Sequence, residues 1–514
     1  MKPDNVSERL KNLTPEKRAI LIKALRKDTM QTEETKRIKR RLQPDSSPLS
    51  FAQQRLWFLD KLSPQNSAYN LPVAVRLKGQ LNLPVLQQTF NEIVRRHEVL
   101  RTAFAEVNGQ PAQVISPDIK FNLAVINLQN LLELQQKIEV EKLALEEAKR
   151  PFNLTKPPLW RATILQLNDA EYVLLLTMHH IISDGWSMGV LVQEVGALYE
   201  AFSTSKSSPL AELPVQYGDF SSWQRQNLQG EKLEKQLAYW KQQLNGFLGV
   251  LPTDRQRSSA QNFRGAQQSF VISASLTQSL KNLIQQQEVT LFMTLLAVFK
   301  ALLYCQTKQD NLAIGSPIAN RSRDELEGLI GFFVNTLVLK IDIAGNPTFC
   351  ELLNRVRQTT LEAYANPDVP FEKLVEELQP ERNLSYNPLF QVWFVLQNAP
   401  MPPLNLAGLT LSILEFDAGT SRHDLSLTCW EIPEGIQCLF EYKTDLFEAV
   451  SIERMVRNFE TIIHHIVGQP NIRINNLAEI IDEAERQHQK NQQKQLQASN
   501  IQKLKITKRK AMEV

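Results

Sequence analysis

The chain has 514 residues, of which 43% are hydrophobic and 22% are charged, as in an ordinary globular protein. Its 58 basic and 55 acidic residues nearly cancel, and a net charge of +3 gives no sign of a nucleic-acid partner. This length predicts about two to four domains of about 150 residues each. The four cysteines lie far apart, which argues against a disulfide scaffold or a metal site and suits a reducing compartment.

The beginning of the chain and its longest apolar stretch give no sign of membrane targeting. Charged and polar residues follow Met1 without an apolar core, so a secretory signal is not expected. The stretch from Leu291 to Cys305 is too short to span a bilayer, and it predicts a buried helix. We therefore expect a cytoplasmic protein without a membrane partner.

The two ends of the chain differ in composition from its middle. Thr14 is placed to cap a helix that begins at Pro15, and a basic run from Lys36 to Arg41 follows, typical of a solvated linker. Residues 1–45 are therefore predicted to be a linker or docking segment. Residues 481–514 are rich in Gln and then basic, which predicts a flexible tail.

Helices and strands interleave between these ends. In chain order, periodicity predicts a helix over 85–101, strands over 161–167 and 172–179, a helix over 188–202 capped by Ser187, helical sequence over 216–244, a helix over 291–305 and a strand over 311–317. The order indicates a mixed α/β fold with α+β layering, without the regular alternation of a doubly wound sheet.

A histidine doublet follows the apolar strand that ends at His179. Since successive strand side chains face opposite ways, only one of His179 and His180 can face a given cavity. Imidazole can accept or relay a proton near neutral pH. Asp184, four residues after His180 and just before Gly185, could orient a ring or pair with an arginine. Two core histidines followed by an Asp-Gly turn remain the simpler alternative.

The same chain contains a second doublet and an overlapping motif. His464 and His465 lie in a helix-like stretch without a following Asp-Gly, so we interpret that pair as structural. Residues 185–189 fit the Gly-x-Ser-x-Gly pattern of a nucleophile elbow, which would make Ser187 a nucleophile with Asp424 and one of these histidines as partners. Ser187 is more simply explained as a helix cap.

Several blocks, of which the doublet is one, occur in order along residues 49–477. They are Ser50–Leu59, Arg96–Phe104, Met178–Ser187, Tyr217–Trp223, Ile314–Arg321 with Gly331–Thr336, Asp368–Glu372, and Arg382–Phe394. Together these blocks resemble the condensation domains of nonribosomal peptide synthetases, and the blocks around Arg96 and Met188 resemble the subtype that joins an L-configured donor to an L-configured acceptor. His423 stands where that family more often has an aromatic residue.

The resemblance implies two chloramphenicol-acetyltransferase-like lobes, arranged as a V-shaped pseudo-dimer around a central tunnel. We assign residues 46–215 to the first lobe and residues 216–480 to the second. Donor and acceptor carrier proteins would present phosphopantetheine thioesters from opposite sides, and other synthetase modules would be further partners. The reaction would be amide bond formation, and no cofactor or metal of the protein's own is expected.

The resemblance also assigns roles to residues. His180 would act in the tunnel, either removing the proton of the acceptor amine or positioning its nitrogen. The expected catalytic set is His180, His179, Asp184 and Gly185. In this set Asp184 forms a structural ion pair with Arg321, and Gly185 lets the backbone approach the thioester. The supporting residues are Arg321, Ser316, Asn335 and Trp186.

Three other functions remain open. A related lobe pair epimerises a carrier-bound residue, although the run Trp186–Met188 fits that type less well. A free-standing acyltransferase would form an ester or amide with a soluble acceptor, which suits a sequence without adenylation or carrier motifs. A platform that recruits tailoring enzymes is disfavoured, because such platforms typically lose the histidine that stands here as His180.

Overall fold

A computed structural model gives the fold of the chain. It describes residues 37–246, 249–258, 262–379, 386–387, 389–398, 406 and 408–512. The helix predicted at Pro15 and part of the block Arg382–Phe394 lie outside these residues.

The strands, in chain order, are β1 Ser46–Pro48, β2 Asn70–Gly79, β3 Thr102–Val107, β4 Gln110–Ile115, β5 Ala124–Asn127, β6 Trp160–Asn168, β7 Glu171–His179, β8 Gly265–Ser273, β9 Ala313–Ile318, β10 Asn335–Lys340, β11 Val392–Leu396, β12 Leu409–Leu414, β13 Leu425–Ile432 and β14 Gly435–Lys443.

The α-helices are α1 Phe51–Leu62, α2 Leu83–Arg96, α3 Glu133–Lys149, α4 Gly185–Ser203, α5 Tyr217–Asn227, α6 Gly230–Gln243, α7 Ala274–Gln287, α8 Leu291–Thr307, α9 Asp324–Glu327, α10 Phe349–Ala365, α11 Phe371–Leu378, α12 Ala449–Gly468 and α13 Ile474–Met512. Two short 3-10 helices span Glu98–Arg101 and His180–Ile182.

The first lobe is built on a five-stranded sheet in the order β12–β2–β7–β6–β5. Strands β6 and β7 form an antiparallel hairpin, and β7 lies between β6 and β2 in the middle of the sheet. The apolar side chains of β7 are buried on both faces, as its sequence predicts. This central strand therefore carries the histidine doublet to the edge of the packed core.

The second lobe is built on a six-stranded sheet in the order β10–β9–β11–β13–β14–β8. Helix α8 is almost entirely buried against it, which confirms the buried helix predicted for this apolar stretch. Strand β11 is parallel to both of its neighbours, and the other pairs are antiparallel. The mixed α/β fold with two lobes is thus confirmed.

The lobes exchange chain segments. Strand β12 belongs to the second half of the sequence but pairs with β2 of the first-lobe sheet, with Leu409 opposite Gly79. The connection between β9 and β10 also crosses over, because Leu326, Leu329 and Ile330 are buried in the first-lobe core. The site described below lies where these crossings bring the lobes together.

Two local predictions need correction. The helix predicted over residues 85–101 ends at Arg96, because His97 has an extended backbone, and a 3-10 turn follows. The helix predicted from Met188 begins at Gly185, and its cap is Asp184, whose carboxylate accepts a hydrogen bond from the Ser187 N–H. An aspartate caps a helix as well as a serine does, so composition could not decide between them.

The described residues near both ends of the chain include contacts and helical structure that composition did not predict. Ile38 is buried in the first-lobe core, and Arg41 forms ion pairs with Glu98 and Asp219, so this run is not a solvated linker. The Gln-rich and basic end is helical, because α13 runs to Met512. Gln, Lys, Ala and Leu are good helix formers, so a helix needs no packed face there. The packing of α13 against the second lobe includes Ile474 and Ile481.

Among the described residues, no single helix is both long enough and apolar enough to cross a membrane. The bent pair α7 and α8, which meet at 105°, meets these criteria together by length and composition alone.

Candidate active site

The doublet lies where β7 passes into a 3-10 turn and then into helix α4. The backbone N–H of His180 donates to the Tyr69 carbonyl at 2.8 Å, which fixes the turn to the neighbouring strand. The imidazole Nδ1 of His180 lies 2.7 Å from the Ser183 carbonyl oxygen. Because a carbonyl can only accept, Nδ1 carries the proton and Nε2 presents a lone pair. The His180 side chain is only partly buried.

His179 points into the packed layer on the other side of the strand. Its Nδ1 accepts a hydrogen bond from the Ile181 N–H at 3.1 Å, so its proton is on Nε2. Its ring packs edge-on against Phe152, with centroids 6.0 Å apart, and the residue is buried. The alternation of a strand therefore separates the two histidines as expected, and His180 is the one available to a ligand.

The electrostatic surroundings keep both rings neutral. Burial, with the positive charge of Arg422 next, lowers the pKa of His180 to about 3. Burial, followed by the charge of His180, lowers the pKa of His179 to about 3 as well. At neutral pH His180 is consequently an uncharged hydrogen-bond acceptor at Nε2.

Asp184 is completely buried and has several partners. Its Oδ1 accepts from the N–H and hydroxyl of Ser187 at 2.8 and 2.7 Å and pairs with the Arg321 guanidinium at 3.1 Å. Its Oδ2 accepts from the Phe333 N–H at 3.0 Å. The predicted ion pair with Arg321 is confirmed. With its oxygens engaged in this way, Asp184 holds the loop together.

Arg321 joins the lobes at this point. Its NH1 donates to the carbonyls of Leu326 and Leu329 at 2.6 and 2.7 Å, and its NH2 also donates to the Ser187 hydroxyl at 2.8 Å. The guanidinium lies 4.0 Å from the centroid of the Phe333 ring. Arg321 therefore organises the crossing connection and contacts the helix cap, but none of these contacts is with His180.

Gly185 and Trp186 face the second lobe. A Cβ atom at Gly185 would lie 3.3 Å from the side-chain nitrogen of Gln397, which follows strand β11. The indole N–H of Trp186 donates to the Glu327 carbonyl at 2.9 Å. Gly185 thus permits a close approach to second-lobe sequence, and Trp186 supports the same connection as Arg321.

Ser316 and Asn335 lie in the second lobe and stabilise its own backbone. The Ser316 hydroxyl donates to the Phe394 carbonyl at 2.9 Å, and the Asn335 amide donates to the Pro367 and Val369 carbonyls at 2.8 Å each. Within the part of the chain that the structure describes, neither side chain has a hydrogen bond to the 179–185 loop. Among the described residues, the hydrogen bonds of these two side chains therefore stay within the second lobe.

Two residues that the sequence did not single out contact the doublet or the chain segment next to it. The Phe332 ring packs against the His180 imidazole with centroids 4.6 Å apart. Arg422 donates to the Ala68 and Asn70 carbonyls at 2.7 and 3.3 Å, on either side of Tyr69, whose carbonyl accepts from the His180 N–H. Phe332 lies inside a recognised block, so its position was a usable signal. Arg422 is brought here only by the tertiary fold.

The alternative sites have structural explanations. The Ser187 hydroxyl is buried and bonded to Asp184, Arg321 and Gly331, and Asp424 is paired with Lys443 and Arg257, so the nucleophile elbow is not assembled. Nδ1 of His465 donates to the carbonyl of Thr461, one turn earlier in helix α12, at 2.8 Å. His423 stacks on Trp393 at 4.5 Å and 7°, which suits the aromatic residue it replaces.

Most of the chain is similar in sequence to known proteins. The condensation-domain family matches residues 43–489. One of the linear gramicidin synthase proteins of Brevibacillus parabrevis is 46% identical over 427 residues, covering 82% of this chain and 6% of that protein. Phosphinothricin tripeptide synthetase PhsC of Streptomyces viridochromogenes is 37% identical over 475 residues, covering 91% of this chain and 43% of that protein. The chain spans a small part of the first of these relatives and less than half of the second.

The fold of the chain is also similar to that of solved structures. The X-domain from teicoplanin biosynthesis has a TM-score of 0.78 and 25% identity, covering 85% of this chain and 99% of that one. The four-domain nonribosomal peptide synthetase holo-AB3403 has a TM-score of 0.75 and 26% identity, covering 84% of this chain and 34% of that one. With most of its length matched by the family and by synthetase relatives, the chain belongs to the condensation domains of nonribosomal peptide synthetases.

Proposed function

We propose that this condensation domain catalyses amide bond formation between a donor acyl or peptidyl thioester and an acceptor aminoacyl thioester, each on the phosphopantetheine arm of a carrier protein. The observation that carries the proposal is the state of His180. Its Nδ1 is occupied by the Ser183 carbonyl, and its ring is partly accessible beside second-lobe residues. A neutral acceptor nitrogen at the place where the two lobes meet suits an amine nucleophile.

The proposed reaction forms one C–N bond and breaks one C–S bond. The neutral amine of the acceptor attacks the donor thioester carbonyl, and the donor thiol leaves with the proton lost by the amine. Since the pKa of His180 is lowered to about 3, its imidazole is a weak base and Nε2 chiefly accepts a hydrogen bond from the attacking amine. Holding the attacking amine nitrogen near the thioester carbonyl lowers the activation barrier, because the reacting atoms are already oriented for attack.

The remaining site residues are proposed to act through structure. His179 anchors the strand end, Asp184 and Arg321 hold the loop, and Gly185 leaves room for backbone next to the substrate cleft. Trp186, Ser316 and Asn335 support the second-lobe segments around it. This proposal retains the L-donor to L-acceptor subtype, which rests on the sequence of the blocks.

The partners in this proposal are donor and acceptor carrier proteins and further synthetase modules, because the relatives are long synthetases of which this chain matches a part. We propose no nucleic-acid or membrane partner and a cytoplasmic location. The division into lobes at residues 46–215 and 216–480, with end segments at 1–45 and 481–514, also stays a prediction.

A binding module without catalysis is a second candidate. The observation in its favour is the likeness to the X-domain from teicoplanin biosynthesis, which is also known in a complex with OxyB. His180 with an available Nε2 favours an enzyme, since a recruitment surface needs no such group. Epimerisation is the other alternative, and it would change configuration without changing mass.

Intact-mass analysis of carrier proteins loaded with defined donor and acceptor substrates tests the proposal. We expect the acceptor carrier to gain the donor acyl mass, and His180→Ala to lower the rate about 10²–10⁴-fold while the protein stays folded. His464→Ala, which changes a histidine in helix α12, is the matched control and should keep the wild-type rate. Near-wild-type turnover by folded His180→Ala would refute the role of His180. A product of unchanged mass and inverted configuration would indicate epimerisation.

A further inference from the structure

Residues 330–333, which lead into strand β10, are held by side chains outside the second-lobe sheet. The Ile330 N–H donates to His97 Nδ1 at 3.3 Å, and the Gly331 N–H donates to the Ser187 hydroxyl at 3.0 Å. The Phe333 N–H donates to Asp184 at 3.0 Å. Buried side chains of first-lobe residues thus fix three backbone N–H groups within this stretch of four residues.

Tyr217 fixes the remaining part of this segment. Its hydroxyl donates to the Phe332 carbonyl at 2.6 Å and, with its proton used there, accepts from the Ser50 hydroxyl at 2.9 Å. A Cβ atom at residue 331 would lie 2.1 Å from a carbon of the Tyr217 ring, so glycine is required for this close approach. The backbone at Phe332 therefore has very little freedom.

The rigid backbone places the Phe332 ring on His180. The ring centroids are 4.6 Å apart and the planes are inclined at 55°. Among the described residues, the imidazole ring has one hydrogen bond, from Nδ1 to Ser183 at 2.7 Å, and a single bond at one nitrogen leaves the ring free to tilt. Contact with Phe332 restricts that tilt and excludes water from the covered side of the ring.

We infer that Phe332 is a positioning residue for the condensation reaction, by which the second lobe fixes the plane of the His180 imidazole and aims Nε2 at the acceptor amine. The inference rests on the proposed function, because it takes His180 as the group that meets the amine. It adds that the orientation of a first-lobe histidine is set by a second-lobe side chain. Phe332 touches the imidazole and is assigned no contact with substrate.

Replacing Phe332 should change the rate of the reaction more than substrate binding. A misplacement of about 1 Å can cost about 10²-fold in rate, so we expect Phe332→Ala to lower kcat about 10- to 100-fold with KM nearly unchanged. Phe332→Leu keeps an apolar cover and should recover most of the rate. Phe292→Ala removes a comparably half-buried ring in the second lobe, packed on Phe394, and should leave kcat unchanged.

A second readout follows the imidazole itself. The charged side chains that act on His180 are Arg422 and Arg55, and the neighbouring His179 is also ionisable. Replacing Phe332 with alanine alters none of these three groups. Water admitted by Phe332→Ala should therefore raise the pKa of His180 toward the ordinary histidine value of about 6.5. In the wild type and in Phe292→Ala, His180 should stay neutral down to pH 5.

The experiment is an NMR titration of the full chain with labelled histidine rings, in which the His180 signal among the seven histidines is assigned by its loss in His180→Gln. A shifted titration together with lower kcat in Phe332→Ala supports the inference. A slower Phe332→Ala enzyme whose His180 titrates as in the wild type overturns it, because the effect would then be structural alone. If His180→Gln retains full turnover, the proposed function fails, whereas the titration still reports whether Phe332 governs the imidazole.

Discussion

Replacing Asp184 with asparagine should destabilise the protein more than it alters the chemistry. The side chains of Asp184 and Arg321 are 0% and 1% exposed, so the pair is isolated from water. Asparagine has nearly the same shape but no charge, and Arg321 would be left as a buried cation without its counter-ion. The amide nitrogen of asparagine would also face the Phe333 N–H, which now donates to the carboxylate.

The magnitude follows from the contacts that remain. Breaking a buried pair by removing one partner costs about 3–5 kcal/mol. The loss of the acceptor for Phe333 adds to this cost, whereas the Leu326 and Leu329 carbonyls still accept from Arg321 and offset part of it. We therefore expect a total of about 3–5 kcal/mol, a large fraction of the about 5–15 kcal/mol that stabilises a typical domain.

Urea unfolding, followed by tryptophan fluorescence and circular dichroism, measures this loss, and turnover is measured below the unfolding transition. Asp184→Asn combined with Arg321→Met should lose less than the sum of the single changes, since no charge is then stranded. The reasoning is refuted if Asp184→Asn has a wild-type unfolding midpoint and no activity. That result would assign Asp184 a direct part in the chemistry.

Two further predictions concern stability. The pKa of His179 is lowered from an unfolded value of about 6.5 to about 3, so the unfolded chain binds more protons between these values and stability is lost as the pH falls below 6.5. At pH 5 the loss from His179 is about 2 kcal/mol of unfolding free energy. Urea titrations at pH 7 and pH 5 measure this loss, and the difference between the two pH values should be about 2 kcal/mol smaller in His179→Gln than in the wild type. A chain that begins at residue 37 and ends at residue 491 should unfold like the full chain. One spanning Asp45 to Glu485 lacks Arg41, which leaves the buried carboxylate of Asp219 without its ion pair at a cost of about 3–5 kcal/mol, so it should melt about 3–5 °C lower. Equal melting temperatures for the two truncated proteins would show that the Arg41 contacts contribute nothing.

The local sequence predicted the helices and strands whose side chains are buried in a single hydrophobic core. The apolar run of β7 and the long apolar helix α8 were correctly located because burial on both faces leaves a continuous hydrophobic signal. The pairing of β12 with β2 was not predictable, because Leu409 and Gly79 are neighbours only through the fold. The ion pairs of Arg41 were not predicted, because composition reports the average environment of a segment and not the pairs that a single residue makes.

At the site, the sequence identified the residues but not all of their geometry. The order Asp184–Gly185 after the doublet indicated a loop, and the family resemblance supplied Arg321 as its partner, which the structure confirms. Ser316 and Asn335 were grouped with the site by the same resemblance, yet their hydrogen bonds are to second-lobe backbone. A shared block shows that residues occur together in sequence, and contact depends on where the backbone carries them.

The cysteines show the same distinction. Cys429 and Cys438 are nine positions apart and match no short motif, but they face each other on β13 and β14 with sulfurs 3.4 Å apart. Only the register of an antiparallel pair brings them together, and that register is set by the turn between the strands. Both thiols are free and buried.

The crossing segments explain why the site cannot belong to one lobe. Leu326, Leu329 and Phe333 are buried in the first-lobe core, although they follow the proposed lobe boundary at residue 216 by more than a hundred positions. An isolated first lobe would expose the apolar surface that these side chains cover and would lose the acceptor and donor groups around Asp184. The same segment positions Phe332 on His180. Any motion that separated the lobes would therefore disturb the imidazole, so the geometry of His180 depends on how the two lobes are joined.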